Sequence, residues 1–430
     1  MNFEIEGGKR LRGTVTTARS KNGAVALLAA SLLNRGTTTL RQVPKIEEVN
    51  RLLEVLRSIG VKVEWKGSML TLTPPAKFAL RKIDRTAAEK TRSILMFIAP
   101  LAHLFGAFDI PQSGGCTLGL RSVRPHQAAL AKFGIKIEAR SRDFRITRTR
   151  LASAEVVLYE SSDTATVNAL LAAAKIPGTS IIKYASANYQ VQEVCGFLQA
   201  LGVAIEGVGT TTLTVHGVKE IKKDIAYTVA EDPTDAMFFI TAALLTRSPL
   251  TIAAAPIEFL ETELLILEHM GLRYALKNRR FSENGITKLT DIVLTLSKLV
   301  AFPEKIHARP YPGLNIDNLP FFAAIALAAE GTTLIHDWVY EKRAIYYTEL
   351  DRLGAQTQLH DPHRISIPGP ARLKAAEVVC PPALRPATII LVAMLAAPGR
   401  STLRNVYSIN RGYEDIVARL SRLGASIKSA

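Results

Sequence analysis

LLEVLRSIGVKVEW, residues 52–65, reads as an amphipathic helix that stops at Gly60 and turns into a strand of alternating character. Leucines recur at helical spacing up to the glycine, which suits a helix C-terminus because it tolerates the left-handed backbone found there. Beyond it Val61, Val63 and Trp65 alternate with Lys62 and Glu64, the period of a half-buried strand. The same unit recurs as AALAKFGIKIEA at Gly134, VCGFLQALGVAIEG at Gly202, LLILEHMGLRYAL at Gly271, ELDRLGAQTQL at Gly354 and ARLSRLGASIKS at Gly424. Successive glycines lie 74, 68, 69, 83 and 70 residues apart, so a unit of about 70 residues fills the chain six times.

A second pattern precedes each of these. VALLAASLLNRGTTTL, SILMFIAPLAHLFGAFDI, VNALLAAAKIPGTSII, MFFITAALLTRSPLTI, FFAAIALAAEGTTLI and TIILVAMLAAPGRSTL are apolar nearly all round, which predicts buried helices. Alternating helices and strands give an α/β fold in which three buried helices per domain are wrapped by sheets and outward-facing helices. The halves are residues 21–230 and 231–430, divided near Glu231.

Superimposing the units brings polar residues to one place. Lys21 and Asn22, Arg92, Ser162 and Asp163, Asp232 and Asp235, Asp317, and Arg385 stand just before or at the start of the buried helices. Arg124, Arg343 and Arg411 stand at the start of the second helices. Ser162, Asp163 and Asp235 suit helix capping. Lys21, Arg92, Arg343, Arg385 and Arg411 do not, because a cation at a helix N-terminus opposes the dipole at a cost of roughly 0.3–1 kcal/mol unless an anion is bound. The pattern predicts an anion site at converging helix N-termini.

The stretch SGGCTLGLRSVRPH, residues 113–126, adds a candidate nucleophile or acid. Gly114 and Gly115 deliver Cys116 into a loop, and Arg121 and Arg124 follow closely; neighbouring guanidinium charge enriches a thiolate. Cys195 and Cys380 fall in apolar helical and strand-like runs and read as core, so three cysteines make no disulfide framework. No histidine or cysteine spacing suggests a metal.

Composition narrows the class. Of 430 residues, 48% are hydrophobic and 21% charged, as in a globular protein, and no apolar run reaches a membrane span. The beginning MNFEIEGGKR lacks a signal-peptide pattern, which predicts a cytoplasmic protein. A net charge of +16 asks for anionic partners. Nucleic acid is disfavoured, because the densest basic segment, RSRDFRITRTR at residues 140–150, resembles the solvated face of a strand without aromatic interleaving for base stacking.

SKNGA at residues 20–24, TRS at 91–93, GGCTLGLR at 114–121, TATV at 164–167, EKR at 341–343, Leu384 with Arg385, and INRGYE at 409–414 together resemble the enolpyruvyl transferase family over the whole chain. The resemblance implies two inverse α/β barrels built from six repeats, with residues 1–20 packing onto the second half. It also implies addition of an acceptor hydroxyl to phosphoenolpyruvate followed by loss of phosphate, with no metal or organic cofactor. Lys21, Arg92, Arg121, Arg343, Arg385 and Arg411 match the family's phosphoenolpyruvate-binding cations, and Lys21 also counts among its catalytic residues. Cys116 matches its cysteine, assigned to acid catalysis or product release, and Asp317 its aspartate near the acceptor hydroxyl, the candidate base. Asn22, Arg121, Ser122, Val123, Arg124, Ser162, Asp163 and Asp317 would hold a uridine nucleotide acceptor. The family default is UDP-N-acetylglucosamine; the alternative is the 3′-hydroxyl of UMP. Five positions depart from the family pattern: Arg124 replaces an acidic residue, Ala383 an aspartate, Asn188 and Gln190 two glutamates, and Glu160 a lysine.

Overall fold

A computed structural model describes residues 1–112 and 122–430. Cys116 and Arg121, and with them the predicted reactive loop, lie outside the described residues. Of the described residues, 1–18 and 231–430 form one compact unit, and 19–112 with 122–230 the other. Each has its own apolar core. No helix among the described residues is long and apolar enough to cross a membrane.

Among the described residues each unit contains three small sheets, and five of the six share one plan. The strand leaving a buried helix pairs antiparallel with the second strand of a hairpin and parallel with an incoming strand. Thr38–Arg41 does so with Met69–Thr73 and with Ile225–Thr228, and Gly178–Lys183 with Thr212–Gly217 and with Glu155–Val157. In the sheet built on Gly399–Arg404 the antiparallel partner is Phe3–Gly7, taken from the other end of the chain, and it pairs in turn with Ser426–Ser429. Asp143–Arg148, from the basic segment, is the central strand of the three-stranded sheet, with Phe144 and Ile146 buried and Arg145 paired to Asp109 at 2.8 Å.

The buried helices sit where the apolar patterns put them. Pro233–Leu245, Leu319–Ala326 and Leu384–Ala396 pack on one another in the first unit. Burying leucine, isoleucine or phenylalanine side chains in this way stabilises the unit by roughly 1.5–3 kcal/mol apiece. Phe238 meets Phe239, Phe321 and Tyr413 at ring distances of 5.0, 6.3 and 5.1 Å, which locks the first two helices to the segment carrying Tyr413.

In the other unit the pattern fails at one helix. The run at 93–104 predicts a single buried helix, but the chain forms a 3-10 turn, Arg92–Phe97, and then the short helix Ile98–Ala102. Pro100 has no N–H to give, and the side chain of Asn168 enters the ladder beside it. Its Nδ2 donates to the Leu95 carbonyl at 2.8 Å, and its Oδ1 accepts from the Ala99 N–H at 3.3 Å. One amide thus replaces the backbone bond that would have joined residues 95 and 99. Asn168 Nδ2 also donates to His126 Nδ1 at 2.8 Å, tying Asp163–Ala173 to Arg124–Ala131.

Candidate functional site

In the unit containing residues 19–112 and 122–230, hydrogen bonds gather the predicted residues into two neighbouring sets. Lys21 opens the helix Lys21–Ser31, capped by Ser20, and its Nζ donates to Asn22 Oδ1 at 3.1 Å. Asn22 Nδ2 donates to the Tyr189 hydroxyl at 2.9 Å. The adjacent Asn188 donates to Asp163 Oδ2 at 3.0 Å, and Ser186 donates to the other oxygen of Asp163. Ser162 is the N-cap of Asp163–Ala173, as its type predicts. The starts of three helices are thereby linked through side chains.

The second set is cationic. Arg92 Nη2 donates to the Ser122 carbonyl at 2.9 Å, and Ser122 Oγ accepts from the Arg124 N–H at 3.0 Å, with Val123 as the cap of the helix that follows. Glu160 lies within reach of the Arg92 charge: burial raises its carboxyl pKa, and Arg92 acts in the opposite sense. The Ser162 N–H donates to the Glu160 carbonyl at 2.9 Å, joining this set to the first.

The other unit assembles Asp317, Arg343, Arg385 and the Arg411 stretch. Arg385, second residue of Leu384–Ala396, places Nη2 3.4 Å from Asp317 Oδ2 and donates from Nη1 to the Tyr413 hydroxyl at 3.1 Å. Ala383 occupies the cap position, and no side chain caps this helix. A Cβ on Gly412 would lie 2.4 Å from Leu384 Cδ2, so the segment after Arg411 lies close on the helix start.

Two expectations from helix electrostatics need correction. Arg343 does stand at a helix start, but its counter-charge is internal: Nε and Nη2 reach Asp337 at 2.5 and 3.0 Å, and Tyr347 donates to the same carboxylate at 2.5 Å. Arg343 and Asp337 are 1% and 0% exposed, so the pair is wholly buried. Burial disfavours the guanidinium charge, but Tyr347 and Asp337 outweigh it and raise its pKa. Nη2 also donates to the Ile316 carbonyl at 2.8 Å, next to Asp317. Arg411 does not begin a second helix; it is the C-cap of the short helix Tyr407–Asn410, the end at which a cation is favourable. Neither residue opposes a dipole without recompense, because sequence spacing does not reveal a carboxylate folded against it or a helix that ends early.

Three buried glutamates escaped the sequence reading. Glu48 accepts from the Thr91 and Ser93 hydroxyls on either side of Arg92. Glu193 accepts from the Ala230 N–H at 2.6 Å, and its other oxygen fills the space beside Gly23, where a Cβ would come within 1.8 Å of it. Glu263 accepts from the Asn315 N–H at 3.1 Å and from Asn318 Nδ2 at 2.7 Å. All three are at most 3% exposed. In sequence they look like solvated charges on outward-facing helices.

A two-unit α/β molecule with cations and a carboxylate collected at buried-helix starts has the architecture of an enolpyruvyl transferase. The chain belongs to the family described as EPSP synthase (3-phosphoshikimate 1-carboxyvinyltransferase), which it matches over residues 5–420. It is 33% identical to the UDP-N-acetylglucosamine 1-carboxyvinyltransferase of Bradyrhizobium diazoefficiens, covering 100% of this chain and 98% of the relative. It is 32% identical to the enzyme of the same name from Treponema denticola, covering 99% and 98%. Among solved structures, the enolpyruvyl transferase NikO from Streptomyces tendae superimposes with a TM-score of 0.85 at 24% identity, over 99% of this chain and 98% of that one. EPSP synthase from Acinetobacter baumannii does so with a TM-score of 0.76 at 20% identity, over 100% of both. These two likenesses fix the fold.

Proposed function

We propose that the protein transfers the enolpyruvyl group of phosphoenolpyruvate to a hydroxyl of UDP-N-acetylglucosamine, with release of phosphate, as a step of peptidoglycan precursor synthesis in the cytoplasm. The observation that carries this is the Arg385–Asp317 pair at the start of a buried helix without a side-chain cap. It sets a cation for an anionic substrate beside a carboxylate able to take a proton. The acceptor is inferred from the full-length relatives named for it.

In this reading the acceptor oxygen bonds to C2 of phosphoenolpyruvate while its proton passes to Asp317 and a proton is added at C3. Loss of a C3 proton then expels phosphate and restores the double bond. Lys21, Arg92, Arg121, Arg385 and Arg411 bind the phosphate and carboxylate, and Cys116 serves as acid or in product release. Arg343, predicted as a further anion ligand, is assigned to fixing the backbone at Ile316. Asn22, Ser122, Val123, Arg124, Ser162 and Asp163 hold the nucleotide.

Glu160 favours a second acceptor. A partly buried carboxylate within reach of the Arg92 charge, in place of a lysine, weakens the binding of a diphosphate nearby and suits a nucleotide that lacks one, such as UMP reacting at its 3′-hydroxyl. Phosphate release from phosphoenolpyruvate, measured with UDP-N-acetylglucosamine, UMP and shikimate 3-phosphate in turn, tests both. Turnover with UDP-N-acetylglucosamine is expected, and Asp317→Asn should lower kcat by about 100-fold or more. Turnover with UMP alone would transfer the assignment to the second acceptor, and release with neither nucleotide would overturn both.

A further inference from the structure

The four residues Asn315 to Asn318 precede the helix Leu319–Ala326 and are held by side chains remote in sequence. Glu263, from the helix Glu261–His269, uses a single oxygen, Oε1, to accept from the Asn315 N–H and from Asn318 Nδ2. Asn315 Oδ1 in turn accepts from the Asp317 N–H at 2.9 Å. From another direction Arg343 donates to the Ile316 carbonyl, itself fixed by Asp337 and Tyr347.

The arrangement gives up local stability. Asn318 precedes Leu319–Ala326 with helical backbone, and the turn is capped from Asn315, whose Oδ1 accepts from the Asp317 N–H and whose carbonyl accepts from the Leu319 N–H at 3.1 Å. Asn318 itself is turned to Glu263: its Nδ2 donates there, and its buried Oδ1 has no hydrogen-bond partner among the described residues. Leaving a buried polar atom unsatisfied is the kind of local conflict expected where function sets the geometry.

We propose that Glu263 is a positioning residue for Asp317, holding through Asn315 and Asn318 the backbone that presents the Asp317 carboxylate to the acceptor and to Arg385. This rests on the reading of Asp317 as the base. Burial pushes the Glu263 carboxyl up to about 7, and Oε1 accepts both bonds whether or not the other oxygen carries a proton. A misplacement of about 1 Å at a reacting group can cost on the order of 100-fold in rate, so a remote latch suffices to matter.

The test compares variants of the whole chain in the phosphate-release assay, with thermal melting to monitor folding. Glu263→Gln keeps one acceptor oxygen and adds an NH2 that can meet Asn318 Oδ1, so kcat should stay within about twofold of the parent. Glu263→Leu should lower kcat by about tenfold or more while KM for phosphoenolpyruvate changes less than about threefold, since the cations are untouched. Asn315→Ala, at a half-buried position, removes only the acceptor for the Asp317 N–H and should lower kcat about fivefold; it decides the matter if Glu263→Leu does not fold. Parental kcat in folded Glu263→Leu or in Asn315→Ala overturns the proposal. Asp317→Asn separates the two readings: parental turnover there refutes the base assignment, whereas a loss there with no loss in the latch variants refutes the latch alone.

Discussion

His103 and Glu263 are buried titrating groups whose effects run in opposite directions. His103 Nε2 lies 3.2 and 3.0 Å from the carbonyls of Leu171 and Ala172 at the end of Asp163–Ala173, a contact suited to a neutral ring that donates there. Burial, reinforced by Lys175, pushes its pKa down to about 4, below the 6.5 of a free histidine. Between those values the unfolded chain binds a proton that the folded one refuses, so stability present above pH 6.5 is lost as pH falls toward 4, by up to about 3 kcal/mol. Glu263 is the reverse. Its unfolded carboxyl ionises near 4.5 and its folded one near 7, so stability present below 4.5 is lost as pH rises to 7, by a similar amount. Urea unfolding as a function of pH should show Glu263→Gln gaining stability over the parent at pH 8 but not at pH 4, and His103→Gln with a shallower loss on the acid side. Parallel curves for parent and variants would contradict both assignments. Neither shift was legible in the sequence, where His103 merely interrupts an apolar run and Glu263 joins an acidic helix start.

At the scale of elements, the helix ends were legible and one helix interior was not. All six closing glycines adopt positive φ, a backbone demand that only glycine meets cheaply, so the residue type announces the geometry. The surroundings differ. Gly202 has φ +98° and nothing within 4 Å of the place a Cβ would take, whereas at Gly134 a Cβ would lie 2.7 Å from the Arg150 carbonyl oxygen. Gly202→Ala should therefore cost about 1–2 kcal/mol of backbone strain alone. Gly134→Ala should cost clearly more, about 3 kcal/mol, because backbone must also move. Equal midpoints in urea would show that the packing difference has no energetic weight. The broken helix after Arg92 was not legible, because its interruption depends on Asn168, a residue 69 positions from Ala99 that looks like one polar lapse in an apolar helix. For the candidate site, residue types at helix starts located Arg385 and Asp317, while the internal partner of Arg343 emerged only from the folded chain.

For the whole molecule, the repeat period foretold six similar units but not how the sheet of the last is completed. Its hairpin pairs Ser426–Ser429 with Phe3–Gly7, and at its end residues 2 and 430 exchange backbone hydrogen bonds at 2.8 and 2.9 Å. In the first repeat the corresponding strands, Lys62–Lys66 and Met69–Thr73, are joined by an exposed two-residue turn at Gly67 and Ser68. Strands from the two ends of the sequence thus complete one repeat between them, and the pattern of repeats closes on itself. A permuted gene that links residue 430 to residue 1 through a short glycine-rich turn and opens between Gly67 and Ser68 should yield protein with the parental melting temperature within a few degrees and parental phosphate release. Failure to fold would mean that one strand pairing must precede the others.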